Sequence, residues 1–307
     1  MEPALSIIIC AHNPRRDYLD KVLSALKHQI LSFEQWELLL VDNASDQILA
    51  SEVDLTWHPQ SRHIREDQLG LTPARLRGIK EALAETLIFV DDDTVLDADY
   101  LEVSLQISKD FPFLGAWGGQ IRPEFEVTPP EWTKPYWQYL AIREFDRDKW
   151  SNLIHQYETT PCGAGMCVRR TVAEKYANLT SCDPKRLGLG RKGQKLFSGE
   201  DSDLALIACD IGLGTGQFVA LNLTHLIPAK RLDEAYILKL LEGMAYSHTI
   251  LKSLRSDIPT LPKFSWRGKF WEQYRLLKMN PRERRLHKAY NQGRINAIQE
   301  ILDSQAN

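Results

Sequence analysis

The sequence predicts an α/β protein: a doubly wound, mostly parallel sheet with flanking helices and a helical C-terminal extension. Apolar β-branched runs alternate with stretches of helical periodicity over about the first 90 residues, the signature of strand–helix–strand winding. Each run stops at polar residues: Asn13, then Asp42 and Asn43, then Asp91 to Asp93. Ligands bind at the carboxyl ends of strands in such sheets, so these ends are expected to share one cleft. A chain of 307 residues, 43% hydrophobic and 26% charged, has room for one large domain and an extension.

Leu5 to Cys10 reads as the first strand, followed by the loop Ala11-His12-Asn13-Pro14. From Asp17 to Gln29, Leu19, Val22, Leu23 and Leu26 fall on one helical face. Trp36 to Val41 is a second strand and His63 to Glu66 a short third. Thr72-Pro73 opens a helix to about Glu85, with Thr72 as N-cap and Pro at the first helical position. Leu87 to Val90 is the strand before the aspartates. Gln120 to Trp150, rich in Pro, Trp and Tyr, reads as a surface excursion outside the central sheet. Pro161 to Met166 is a small-residue loop, and Leu204 to Cys209 and Leu232 to Leu254 have helical periodicity. The division expected is 1–255 for the main domain, with halves 1–119 and 120–255, and 256–307 for a basic helical extension.

A net charge of -3 argues against a general nucleic-acid binder. No apolar stretch approaches the roughly 20 residues that span a bilayer. The start lacks the marks of a signal peptide. Five scattered cysteines without zinc spacing suggest reduced thiols, so a cytoplasmic protein is expected.

Three carboxylates ending one apolar strand repel one another unless a cation intervenes. Mg²⁺ or Mn²⁺ would serve, holding phosphate on its free side. A solvated acidic turn is the plain alternative.

An ordered series carries a resemblance: Ile8-Ile9-Cys10-Ala11-His12-Asn13, Val41-Asp42-Asn43-Ala44-Ser45-Asp46, Gly70-Leu71-Thr72-Pro73-Ala74-Arg75, Val90-Asp91-Asp92-Asp93, Gly163-Ala164-Gly165 and Gly199-Glu200-Asp201. It resembles the family 2 glycosyltransferases of the GT-A fold, over about Leu5 to Ser253. The resemblance implies inverting, metal-dependent transfer of a hexosyl unit from a nucleotide-diphosphate sugar to a hydroxyl of a glycan or glycolipid, as in polysaccharide biosynthesis.

The same resemblance assigns roles. Asp93 would ligate Mn²⁺ or Mg²⁺, Asp91 would touch ribose or the metal's water, and His225 would complete the metal site or serve as an ordinary structural histidine. Ala11, Asn13, Asp42, Asn43, Arg75, Asp91 and Asp92 would face the nucleotide. Asp42-Asn43 equally fits an Asx-type turn, and Arg75 an exposed helix arginine, since Leu76 stands where the family often has Asn. Asp201 would be the base that takes the acceptor's proton, with Glu200 as acceptor or loop anchor. Favourable charge at a helix start explains the same pair.

Gly163, Ala164 and Gly165 would let backbone approach the donor sugar. Trp132 and Trp137, with Tyr136, would stack on acceptor sugars, dip into lipid headgroups or pack the excursion down. A mobile loop carrying Gly188 to Gly193 would bring Arg191 or Lys192 to the diphosphate. Gly212 to Gly216 reads as a turn between helix and strand. The basic tail from Lys263 to Arg294, with Phe264, Trp266, Phe270 and Trp271, suggests contact with an anionic membrane at the inner face, against a solvated helix pair or oligomer contact. The sequence carries no signal for oligomeric state.

Two other readings compete. A sugar-nucleotide nucleotidyltransferase usually has a glycine-rich basic loop after its first strand, and Ala11 to Arg16 contains no glycine. A non-catalytic carbohydrate-binding protein has no need for both the aspartate triplet and Glu200-Asp201.

Overall fold

Every residue of Leu5–Ala11 except Cys10 is buried, as expected of a strand covered on both faces. The computed structural model describes residues 2–191, 193, 196–255 and 266–306. Among them one sheet comprises β1 (Leu5–Ala11), β2 (Trp36–Asn43), β3 (Ser61–Glu66), β4 (Thr86–Asp91), β5 (Thr94–Leu96), β6 (Leu114–Phe125), β7 (Lys149–Ser151), β8 (Met166–Arg169) and β9 (Gly214–Ile227). The helices are α1 (Arg16–Lys27), α2 (Leu49–Glu52), α3 (Leu71–Glu81), α4 (Tyr100–Asp110), α5 (Arg170–Cys182), α6 (Pro184–Leu187), α7 (Glu200–Asp210), α8 (Glu234–Ser253), α9 (Trp266–Lys278) and α10 (Pro281–Ala306).

The strand order is β3-β2-β1-β4-β8-β6-β9-β5, with β7 also paired to β9. The first four strands run parallel, as do β6 and β9, while β8 enters antiparallel between β4 and β6. From β1 the chain winds outward through β2 and β3, then returns to β4 on the other flank. A crevice opens where the two directions part, at the carboxyl ends of β1 and β4.

Strand alternation sorts the core into two layers. Ile7, Ile9, Leu38, Leu40, Ile88 and Val90 pack on one face with Leu19, Val22 and Leu26 of α1 and with Tyr100 and Leu101 of α4. Ile8, Leu39, Val41, Leu87 and Phe89 pack on the other with residues of α3, α5 and α7. Gly78 lets α3 lie close on the sheet, since a Cβ there would overlap Ile8.

Two expectations need correction. Gln120–Phe125 belongs to the sheet, paired with β9 as far as Phe125 opposite Ile227. Ile121, Pro123 and Phe125 turn inward while Arg122 and Glu124 face solvent, an alternation that the density of Pro and aromatic residues masks. The middle of the excursion lies outside the strands, with Glu131–Leu140 in 3₁₀ turns, and its end rejoins the sheet as β7. Secondly, α3 starts at Leu71 after Gly70, whose φ is +143°, and Thr72 is no N-cap. Asn43 Oδ1 accepts the Gly70 N–H at 2.8 Å, so a side chain from β2 holds this entry. The turn expected at Gly212 is present, with φ +86° there, and β9 begins at Gly214.

The tail does not project freely. α10 lies along α8, with Ala297 and Ile301 against Ile250 and Leu251, and Leu286 against Ile237 and Leu241. Arg282 and Arg285 both pair with Glu234 at the start of α8. Phe264 falls outside the described residues. No helix among the described residues is long and apolar enough to cross a membrane.

His58 is buried among Phe33, Trp36 and Trp57. Its Nδ1 accepts the Gln60 N–H, and its Nε2 has no hydrogen-bond partner among the described residues. Burial pulls its pKa down to about 4, with Glu37 opposing weakly. The folded form therefore resists protonation, and the stability it contributes is present above the ordinary histidine value and is lost as pH falls from 6.5 toward 4. Thermal melts between pH 7 and 4.5 are expected to show a loss of at most about 1.4 kcal/mol per pH unit from this group. In His58→Phe that part of the pH dependence is absent.

Candidate active site

The crevice holds a cavity of about 290 Å³, near the lower end of the range for small-molecule sites, about 300–1,000 Å³. Its walls are the ends of β1 and β4, the starts of α3 and α7, the Gly163 loop, the 138–141 segment and the end of β9. Of the residues singled out in the sequence, Ala11, Asn43, Arg75, Asp91, Asp92, Asp93, Gly163, Ala164, Glu200, Asp201 and His225 line it, and Arg191 joins them. Lys192 lies outside the described residues. Asn13, Asp42, Gly165, Trp132 and Trp137 are not part of the lining.

Arg75 is the hub of one wall. Only 2% exposed, it pairs with Glu200 at 3.3 Å and Asp91 at 3.7 Å. It is thus no exposed helix arginine. Burial works against its charge, but Glu200, Asp91 and Asp201 outweigh burial and raise its pKa, so it stays a cation. Burial pushes Glu200 up, against the pull of Arg75. Glu200 faces this guanidinium at the first residue of α7 and also accepts the Gly199 N–H. Its position is that of an anchor between α7 and α3.

Asp201 presents its carboxylate to the cavity. Oδ2 accepts the Gly163 N–H at 2.9 Å and Oδ1 the Ser202 N–H at 2.7 Å. One bond orients the carboxylate on the helix start, and the other ties the small-residue loop to it. A Cβ on Gly163 would strike the Arg75 guanidinium. Gly165 has φ +74°, and a Cβ there would overlap Leu223 and the Tyr100 hydroxyl. Packing against Arg75 and Tyr100 therefore demands these glycines by itself, whatever else the loop faces.

Asp91, Asp92 and Asp93 crowd the far end of β4. Burial raises Asp91 and Asp92, the latter to about 7, with repulsion inside the triplet adding. Burial also disfavours ionised Asp93, but Arg231 at 2.7 Å overcomes it and holds Asp93 well below the usual range. His225 stands beside it because β5 pairs with β9 in a register that sets Thr94 opposite His225, and the Leu226 N–H bonds to the Asp93 carbonyl. His225 Nε2 is 3.5 Å from Asp93 Oδ2. The Cys10 thiol, at the same crevice, is pushed up to about 12 by burial and stays protonated.

Among the described residues no group of three or more His, Cys, Asp and Glu side chains converges as a closed metal site. Asp93 and His225 nonetheless offer an oxygen and an imidazole nitrogen side by side, with Asp91 two residues earlier at the end of β4. Such a donor set suits Mn²⁺ or Mg²⁺ when the remaining positions go to phosphate and water. The residues fit an ion shared with a substrate.

Several expected contacts are used elsewhere. Asp42 accepts the Ser45 and Leu49 N–H groups and pairs with Arg65 at 2.7 Å, so its carboxylate is engaged in an Asx-type turn behind the cavity lining. Asn13, at φ +47°, clasps Asp46 and bonds through its N–H to Ser45, joining the loops after β1 and β2. Asn43 lines the cavity, but its amide already serves the carbonyls of Glu66 and Gln68 and the Gly70 N–H. Trp132 packs on Arg282 and near Tyr136, and Trp137 on Phe125, so both hold the 131–140 segment down. Tyr139 and Gln138 reach the cavity instead. Sequence reasoning missed His12, Arg143, Tyr236 and above all Arg231, all in the lining. A basic residue six positions after His225, past the Pro228 turn, was the available signal for the last.

The model of glycosyl transferase family 2 matches residues 6–176. The chain belongs to that family. A *Drosophila melanogaster* protein, polypeptide N-acetylgalactosaminyltransferase 8, is 31% identical over 104 residues, 33% of this chain. The match spans only 18% of that relative's length. Among solved structures, *S. aureus* TarS 1-349 in complex with UDP-GlcNAc gives a TM-score of 0.57 at 13% identity, covering 98% of this chain and 80% of the other. The mannosyltransferase PcManGT from *Pyrobaculum calidifontis*, in complex with GDP-Man and Mn²⁺, gives 0.56 at 17% identity, covering 100% and 76%. At such identities the likeness is one of fold, and the family 2 chain has the GT-A architecture.

Gly163→Ala drives a methyl group into the Arg75 guanidinium. Thermal denaturation is expected to show a loss of about 1–3 kcal/mol, the usual cost of overpacking a filled site. Unchanged stability would mean that the loop yields and that Arg75 does not dictate glycine there.

Proposed function

We propose that this family 2 chain is an inverting, metal-dependent glycosyltransferase that moves a hexosyl unit from a nucleotide-diphosphate sugar to a hydroxyl of a glycan or glycolipid. The observation that carries the reading is that Asp201 and the Asp93–His225 pair line one cavity at the sheet's switch point. The donor half is residues 1–119 and the acceptor half 120–255, with 256–307 as an extension.

Ala11, His12 and the start of α3 would receive the nucleoside, with Asp91 and Asp92 toward its ribose and diphosphate. Arg191 makes no ion pair among the described residues and faces the cavity, which suits the diphosphate. Asp93 and His225 would hold Mn²⁺ or Mg²⁺, which when bound stabilises charge growing on the departing diphosphate. Asp201 would accept the proton of the attacking hydroxyl at its carboxylate, on the face away from the leaving group. Its bonds to Gly163 and Ser202 aim that carboxylate, and the Glu200–Arg75 pair fixes the helix start that carries it.

The extension supports a second contact, with an anionic membrane surface. Phe270 and Trp271 are 63% and 64% exposed on α9, with Tyr274 and Leu277 exposed on the same helix beside Arg275 and Lys278. Aromatic and basic residues together on an exposed helix are what an interfacial helix uses. Co-sedimentation with phosphatidylglycerol vesicles is expected, and the double variant Phe270→Ala, Trp271→Ala should lose most of it. Equal binding to neutral phosphatidylcholine vesicles would remove the electrostatic part of the proposal.

UDP-GlcNAc and GDP-Man are suitable probes, given the complexes of the two similar folds. Donor hydrolysis with either is expected to need Mn²⁺ or Mg²⁺ and to stop in excess chelator. Asp201→Asn should leave donor affinity nearly unchanged and lower turnover roughly 10²-fold, the scale of a lost general base. Full activity in chelator would end the metal reading, and lost donor binding with normal turnover would remove Asp201 from the base role.

A further inference from the structure

The Arg231 guanidinium bridges the two side chains best placed to hold a metal ion. Nη2 donates to Asp93 Oδ2 at 2.7 Å, and Nη1 lies 2.8 Å from His225 Nε2. Those two acceptors are themselves 3.5 Å apart. All three side chains are shielded, with 16%, 10% and 7% of Arg231, Asp93 and His225 exposed.

The tautomer of His225 follows from its other partner. Nδ1 is 2.9 Å from the Leu140 carbonyl oxygen, which can only accept, so Nδ1 carries the proton. Neutral imidazole then has one lone pair left, on Nε2. Arginine has no acceptor and stays charged, so the contact at 2.8 Å uses that lone pair. A metal ligated by His225 requires the same lone pair, and one lone pair cannot serve two cations.

The anchoring of the three groups differs. Asp93 and His225 are fixed by the β5–β9 pairing and by the Leu226-to-Asp93 backbone bond. Arg231 sits on Ala229–Leu232, a four-residue 3₁₀ turn between β9 and α8. Its guanidinium can leave by side-chain rotation, without disturbing the sheet.

We propose that Arg231 is a resident counter-ion of the metal site, holding Asp93 and His225 together in the metal-free protein and exchanging with a divalent cation for them. The inference rests on the proposed metal role of Asp93 and His225. Without a metal, Arg231 neutralises a carboxylate that would otherwise face its neighbours unpaired. With one, the displaced guanidinium remains at the cavity wall as a cation for the diphosphate. Arg231 thus sets a threshold against metal binding in the absence of donor.

The test measures Mn²⁺ binding to the metal-free full chain, without nucleotide, by the electron paramagnetic resonance signal of free Mn²⁺, alongside thermal melts. Arg231→Gln is expected to bind Mn²⁺ at least tenfold more tightly than the wild type. Its metal-free melting temperature should drop, and saturating Mn²⁺ should restore it. Asp93→Asn should abolish binding in both backgrounds. Equal or weaker Mn²⁺ affinity in Arg231→Gln, with binding still dependent on Asp93, overturns the exchange and leaves the metal reading intact. Binding that ignores Asp93→Asn, or no binding in any variant, overturns both. Should Arg231→Gln not fold, Arg231→Lys, with a shorter reach and no planar fork, must bind Mn²⁺ more tightly than the wild type. Unchanged affinity there overturns the exchange equally.

Discussion

Three carboxylates at the end of one strand repel one another, and the cleft is organised around holding them there. Two arginines from distant parts of the chain make this tolerable. Arg75, from α3, faces Asp91 and Glu200. Arg231, from the turn after β9, faces Asp93. Removing either would leave buried negative charge uncompensated, which costs far more than a matched pair contributes. The arginines thus serve less as stabilisers in themselves than as the condition for packing so much acid into a cleft.

That condition spreads outward through packing. Arg75 lies so close to the Gly163 loop that no Cβ fits there, and Gly163 in turn orients Asp201 through its N–H. Glu200 binds the same arginine from the adjacent position of α7. A change in one member is therefore felt by the loop, the helix start and the end of β4 together. At the end of β4 the linkage runs through the sheet, since strand register brings His225 beside Asp93, and Arg231 from the turn after β9 joins the two.

The helical extension is tied to the same body. α10 shares apolar clusters with α8, and Trp132 of the 131–140 segment stacks on Arg282. That segment also supplies Gln138 and Tyr139 to the cavity. The far end of the chain thus supports a wall of the cleft although none of its described residues is in the lining. Basic residues that read in the sequence as a free charged face are partly spent on Glu234.

The amino-acid sequence by itself determined the four parallel strands β1 to β4, the helices α1, α3, α7 and α8, and the gathering of acidic residues at strand ends. Burial on one or both faces of an element leaves a local periodic trace, legible from Leu5 to Cys10 and from Leu19 to Leu26. Tertiary structure alone decided which polar side chains face the cleft and which are spent on the scaffold. Asp42 and Asn43 are neighbours in sequence, yet Asp42 closes a turn with Arg65 while Asn43 reaches the cavity wall and holds the entry to α3. Trp132 and Trp137 look like sugar-stacking residues but pack on Arg282 and Phe125. Arg231 shows only its spacing from His225, because its role comes from Asp93, 138 positions earlier in the chain. Charge pairing acts through space between groups that only folding brings together, so it has no period that a sequence can show.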